Sequence, residues 1–201
     1  MSMLTTAPRM IHPLIVRVTH WLNAVAVTVM IGSGWQIYDA SPLFPFTFPG
    51  AITIGGWLGG ALLWHFAAMW LLAVNGTLYL AYGILSGRLR RKLLPLRPRD
   101  LVRDIAAALR GRLGHADLST YNAVQRAFYI GVILALIVIV LSGLAIWKPV
   151  QLQALTAVFG GYQGARVVHF LVMSAIAAFI LVHVAMALLV PRSLLAMLRG
   201  R

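Results

Sequence analysis

Four stretches of the chain are apolar for longer than a soluble helix needs, and little polar sequence separates them. They cover about residues 13–38, 54–85, 121–147 and 163–190. A helix needs about 20 apolar residues to cross hydrocarbon, so each stretch predicts a membrane span. The second is long enough to tilt or to project into water. Asp39 to Pro49 joins the first two and holds Pro42, Pro45 and Pro49, which stop regular helix. Lys148-Pro149 ends the third span and Pro191 the fourth. Only residues 86–119 form a sizeable polar segment. Within it Leu101, Val102, Ile105, Ala108 and Leu109 recur at helical spacing opposite Arg103 and Arg110, predicting a short helix on the membrane surface. The fold class is therefore all-α: an integral membrane four-helix bundle, one domain over residues 1–201.

Composition strengthens this. Of 201 residues, 61% are apolar and 10% charged, with no glutamate. Soluble domains carry roughly 25% charged residues. There is no cysteine, which excludes disulfides, haem attached through Cys-x-x-Cys-His, and iron–sulfur clusters ligated by this chain. The start, Met1 to Arg9, does not read as a signal peptide, because the apolar run that follows is too long and has no small-residue cleavage site. Aromatic residues Trp21, Trp35, Tyr38, Trp57, Tyr82 and Trp147 fall near span ends, as an interfacial belt does.

The net charge of +13 in a soluble chain points to nucleic acid. Here its distribution points to topology instead, so no nucleic-acid partner is expected. All but two of the seventeen basic residues lie in the N-terminal tail, the central segment, the start of the third span and the C-terminal tail. Lys148 and Arg166 are the exceptions. The positive-inside rule then puts both termini and the central loop in the cytoplasm. The basic loop also suits anionic lipid headgroups.

Histidine changes the picture from anchor to chemistry. Ionisable groups inside a bilayer are costly and mark functional sites. His169 and His183 lie fourteen residues apart on the fourth span, on one face and about 21 Å apart. Counting from the span ends puts His20 level with His183 near the cytoplasmic side, and His65 level with His169 near the outer side. Each pair joins two helices, as bis-histidine haem ligation in a four-helix bundle requires. The bland alternative is four histidines hydrogen-bonded between helices. A zinc or copper centre is disfavoured, since the pairs lie too far apart to gather four ligands on one ion.

Other residues fill in the picture. Gly34 lies on the face of His20 at the outer level, where a porphyrin needs a position without a side chain; Gly32, Gly131 and Gly143 are similar. Ordinary small-residue packing explains any one of them equally well. Arg17, Lys148 and Arg166 lie near the two levels, as partners for haem propionates or as membrane-edge cations. His12 and His115 read as interfacial, and Met69 and Met173 as packing. Asn122 and Gln125, a turn apart at the start of the third span, either face a quinone carbonyl or cap the helix with Thr120.

With these residues assembled, the chain resembles the cytochrome b subunits of membrane-bound respiratory enzymes. These include the gamma subunit of formate dehydrogenase, nickel–iron hydrogenase cytochrome b and thiosulfate reductase cytochrome b, with bacterial cytochrome b561 more distant. The resemblance rests on His20-Trp21, His65, Tyr121-Asn122-Ala123-Val124-Gln125, Gly143-Leu-Ala-Ile146-Trp147-Lys148-Pro149, and His169 with His183. It covers most of the chain from about His12 to Met197. It implies two b-type haems on His20/His183 and His65/His169, and a quinone site (ubiquinone or menaquinone) near His183, Asn122 and Gln125. Lys148 replaces a family arginine, keeping the charge but not the bidentate fork. Val124 replaces a glycine, which narrows the quinone pocket.

The expected function is a subunit of the bacterial cytoplasmic membrane that passes electrons between a periplasmic oxidoreductase and the quinone pool. A self-sufficient cytochrome b561-type oxidoreductase acting on a small substrate such as superoxide is the alternative. A haem-free anchor or transporter comes third.

Overall fold

The computed structural model describes residues 12–110 and 121–200. The start of the chain, Thr120 and His115 lie outside them. Helix α1 spans Leu14–Ala40, and a 3-10 turn at Gly50–Ile52 precedes α2, Leu58–Leu85. Two short helices follow, α3 (Arg88–Leu93) and α4 (Pro98–Leu109). Then come α5 (Ala123–Trp147), α6 (Gln153–Val158), α7 (Gly161–Leu189) and α8 (Pro191–Arg199). Among the described residues, α1, α2, α5 and α7 are long and apolar enough to cross a membrane.

The four spans form two hairpins. Helix α1 packs closely along α2, and α5 along α7, whereas the backbones of different hairpins stand apart. The residues sealed inside are small: Ala61, Ala145, Ala165, Ser33 and Ser142 are all fully buried. Large apolar side chains such as Leu63, Trp70, Leu85 and Leu181 face outward. That inversion is what lipid selects. Hydrocarbon is as apolar as leucine, so helices gain by close backbone approach rather than by hiding large side chains.

Both ends of the described chain lie at one end of the bundle. The His12 backbone N–H donates to the Gly200 carbonyl at 3.4 Å. The Arg17 guanidinium donates to the carbonyls of Met197 (3.3 Å) and Leu198, the exposed C-terminal groups of α8. Helix α4 docks at this same end, where the Asp104 carboxylate accepts from the Ala123 backbone N–H at 2.8 Å. This is the basic end. The connections 41–57 and 148–160 make the opposite, connection end.

The polar segment holds a short helix where one was expected around Leu101 to Leu109, preceded by α3. Two further helices were not anticipated. Pro191 ends α7 as expected but also starts α8, since proline fits a helix's first turn, where its missing N–H has no partner to lose. Helix α6 is only six residues, too short for a periodic pattern, and is tied down by the Thr156 hydroxyl donating to the Ala145 carbonyl at 3.2 Å.

Candidate functional site

At the connection end, His65 on α2 and His169 on α7 face each other across the gap between hairpins, ring centres 6.5 Å apart. Each is held from behind by the other helix of its own hairpin. The Ser33 hydroxyl lies 3.1 Å from His65 Nδ1, and the Ser142 hydroxyl 3.0 Å from His169 Nδ1. Both serines are fully buried. Ser33 donates its one proton to the Val29 carbonyl at 2.7 Å, and Ser142 to that of Ile139 at 3.1 Å. A hydroxyl has one proton and two acceptor sites. With that proton kept on its own helix, each serine accepts from a histidine protonated at Nδ1. That leaves Nε2 of both rings with a free lone pair, the state a metal ligand needs.

A glycine follows each serine, and only at Gly143 would a side chain crowd the ring. A Cβ on Gly34 would stand 3.6 Å from His65 Cε1, and one on Gly143 only 3.2 Å from His169 Cε1. Above this level the connection closes over the bundle. Tyr38 stacks on Phe170 at 4.9 Å, Phe46 on Tyr38 at 5.3 Å, and Phe48 on Trp35 at 4.8 Å. The Tyr38 hydroxyl accepts from the Phe44 backbone N–H at 3.2 Å, holding the strap in place.

At the basic end, His20 on α1 and His183 on α7 also face each other across the hairpins, ring centres 6.1 Å apart. Their supports are different. His183 stacks on Phe179 of its own helix (5.6 Å, 14°), and His20 meets Trp21 edge-on at 5.3 Å. The buried Asn75 amide of α2 donates to the Thr19 carbonyl at 2.7 Å and to Asn23 Oδ1 at 2.8 Å, fixing α1 beside His20.

The donor set fits a haem iron at each level. A metal–imidazole bond of about 2.0 Å on either side of one ion, extended to each ring centre, separates the centres by roughly 6.5 Å. Both pairs match, and both straddle the gap between hairpins. Among the described residues no three histidine or acidic side chains gather as a metal site would require. Two nitrogen donors on opposite sides suit an ion whose remaining ligands come from a macrocycle.

The other sequence candidates scatter. Arg17 caps α8. The Arg166 guanidinium donates to Gln163 Oε1 (3.1 Å) and the Ser41 carbonyl, tying α7 to the first connection. Lys148 lies over the Trp147 ring, 4.8 Å from its centre. None of these three contacts ties the cation to a histidine pair. Asn122 and Gln125 form a reciprocal cap: Asn122 Oδ1 accepts from the Gln125 N–H at 2.7 Å, and Gln125 Oε1 from the Asn122 N–H at 3.1 Å. Their amide NH₂ groups are not used by the cap. Beside them runs an apolar groove of about 500 Å³ between α4, α5 and α7, lined by Ile105, Val124, Phe128, Gly131 and Phe179 among others. Phe179 separates it from His183. His12 is half-buried, and burial with the cations of Arg88 and Lys92 holds its pKa down to about 4.

Sequence reasoning missed Ser33, Ser142 and Asn75. The serines carried a signal: the dipeptide Ser-Gly occurs once in α1 and once in α5. Asn75 carried a weaker one, as a lone amide in an apolar run.

Four apolar spans enclosing two facing histidine pairs define a multi-pass membrane cytochrome of the b type. The chain belongs to the prokaryotic cytochrome b561 family, whose model matches residues 11–200. It is therefore a b-type haem protein of the bacterial cytoplasmic membrane, as the resemblance carried by its motifs implied. It is 62% identical over 190 residues to a protein of Azospira oryzae named "Putative protein-methionine-sulfoxide reductase subunit YedZ1", covering 94% of this chain and 96% of that one. No solved structure matches.

Proposed function

We propose that this protein is the electron-transfer subunit of a periplasmic oxidoreductase, carrying two b-type haems and linking that partner to the quinone pool. The observation that carries this is the pair of histidine couples, each set across the gap between hairpins at the separation one iron requires. When bound, a haem at each couple supplies a one-electron carrier. The couples lie fourteen residues apart on α7, about 21 Å, so the two sites together reach from one membrane face toward the other.

The basic end faces the cytoplasm by the positive-inside rule. The relative's name points to a reductase acting on protein methionine sulfoxide as the partner. Electrons then enter from quinol near His183 and leave at the connection end beneath the aromatic strap. The groove along Val124, Phe128 and Gly131 is the right size for a quinone head. It reaches Phe179, which stacks on His183, and Asn122 and Gln125, chain neighbours of its lining residue Val124, retain amide N–H donors for a carbonyl. The protons released by quinol leave on the cytoplasmic side.

Reduced-minus-oxidised spectra with pyridine haemochrome quantitation of the purified protein test this. Two b haems per chain are expected, and a protein made haem-free in haem-replete cells overturns the proposal. Gly131 has open space beside it, so Gly131→Leu fills the groove without touching the helix cap. It is expected to slow quinol-driven haem reduction at least about tenfold with haem content unchanged. An unchanged rate places the quinone elsewhere. Quinol-dependent reduction of protein methionine sulfoxide by a co-expressed periplasmic reductase tests the partner; transfer to superoxide by the isolated chain favours the self-sufficient alternative.

A further inference from the structure

Resting on that reading, we propose that Ser33 and Ser142 are a matched pair of positioning residues that set the ligand orientation and redox poise of the connection-end haem alone. The two serines occupy equivalent places: each precedes a glycine that faces the histidine ring, sits on the hairpin partner of the histidine-bearing helix, and is fully buried. Each spends its proton on its own helix, on the carbonyl of Val29 or Ile139. Each therefore presents a lone pair to an Nδ1–H, at 3.1 Å for His65 and 3.0 Å for His169. An acceptor on the far ring nitrogen fixes the tautomer, locks the ring plane and raises ligand basicity. A more basic ligand favours ferric over ferrous iron. The basic-end couple has no counterpart: among the described residues no hydrogen bond reaches the His20 or His183 rings, which rest on Trp21 and Phe179. The device thus acts on one of two chemically identical haems and separates their potentials. It holds the connection-end haem lower than its ligands alone would.

The carbonyls of Met30 and Ile139 also lie against these two rings, so losing one hydroxyl weakens the restraint without abolishing it. The test is redox titration with low-spin EPR of Ser33→Ala, Ser142→Ala and the double variant, beside His65→Ala. His65→Ala identifies which spectral component belongs to this level; if it retains both haems, the haem assignment fails and not the serine inference. With that component identified, each single variant is expected to raise its ferrous-to-ferric ratio about threefold at fixed ambient potential. The double variant is expected to raise it about tenfold, 59 mV for a one-electron couple. The EPR g-values of that component are expected to shift while those of the other haem stay fixed. Unchanged potential and g-values in the double variant overturn the inference, as do equal shifts in both haems. If an alanine variant fails to load the haem, Ser→Thr restores the hydroxyl; recovered loading supports the inference, and continued loss in Thr overturns it, since volume rather than the hydroxyl is then what matters.

Discussion

The two histidine couples have the same ligands, nearly the same ring separation and one helix in common, yet they are supported by different physics. At the connection end each imidazole is tied to a buried serine and closed over by stacked aromatics. At the basic end the imidazoles lean on aromatic rings, and the polar fixing falls one residue away, on the backbone carbonyl of Thr19. A hydrogen bond to the ring constrains rotation and electron density together. A stacked ring constrains position and leaves the electronics alone. The basic end is also the more open, with a groove one phenylalanine away from His183. One site is thus built to be fixed and dry, the other to be reached. That division suits a carrier that exchanges electrons with a mobile small molecule at one end only.

The largest way to break the comparison is to remove a ligand. His65→Ala and His183→Ala are each expected to lose one whole haem, and a different one, by pyridine haemochrome and by the surviving spectral component. Loss of both haems from either variant means that the two levels do not load independently. Next comes Asn75→Ala, which removes two hydrogen bonds between α1 and α2, one buried and one part-buried. A cost of about 1 kcal/mol in unfolding of the solubilised protein is expected, in line with polar contacts between membrane helices. Because those bonds hold the turn that carries His20, the basic-end haem is expected to broaden in EPR while the connection-end haem does not. Gly143→Ala acts at the other level. Its new Cβ meets His169 Cε1 at 3.2 Å, so a small shift in the g-values of the connection-end haem alone is expected.

How much of this was legible in the chain follows from what each feature depends on. The spans and the histidine depths were legible because bilayer thickness imposes a fixed length and helical rise turns sequence distance into depth. Pairing across the hairpins followed from depth alone. The roles of Arg17 and Arg166 were not legible: both lie near the right levels, but they donate to the backbone carbonyls of α8 and of Ser41, groups with no sequence signature. Asn122 and Gln125 show the limit most clearly. Their spacing suits a capping box and a carbonyl clamp equally, and the structure uses their oxygens for the cap. Ser33 and Ser142 were overlooked because buried serines in membrane helices commonly bond only their own backbone. Their outward lone pair matters only once the facing helix is known.

The smallest expected effect concerns the charge that distinguishes the basic end. His12 lies among Arg88, Lys92 and Arg17 and is neutral well below the usual imidazole range, with a pKa of about 4 against 6.5 when unfolded. Between these values the unfolded chain binds more protons, so folded stability falls as pH drops from about 6.5 toward 4 and is unaffected above that window. His12→Ala removes this slope. The thermal midpoint of the variant in detergent is expected to fall less than that of the wild type between pH 7 and pH 5, by roughly 1–2 °C, because a half-exposed group is well screened. A slope that survives His12→Ala unchanged would show that His12 does not carry it.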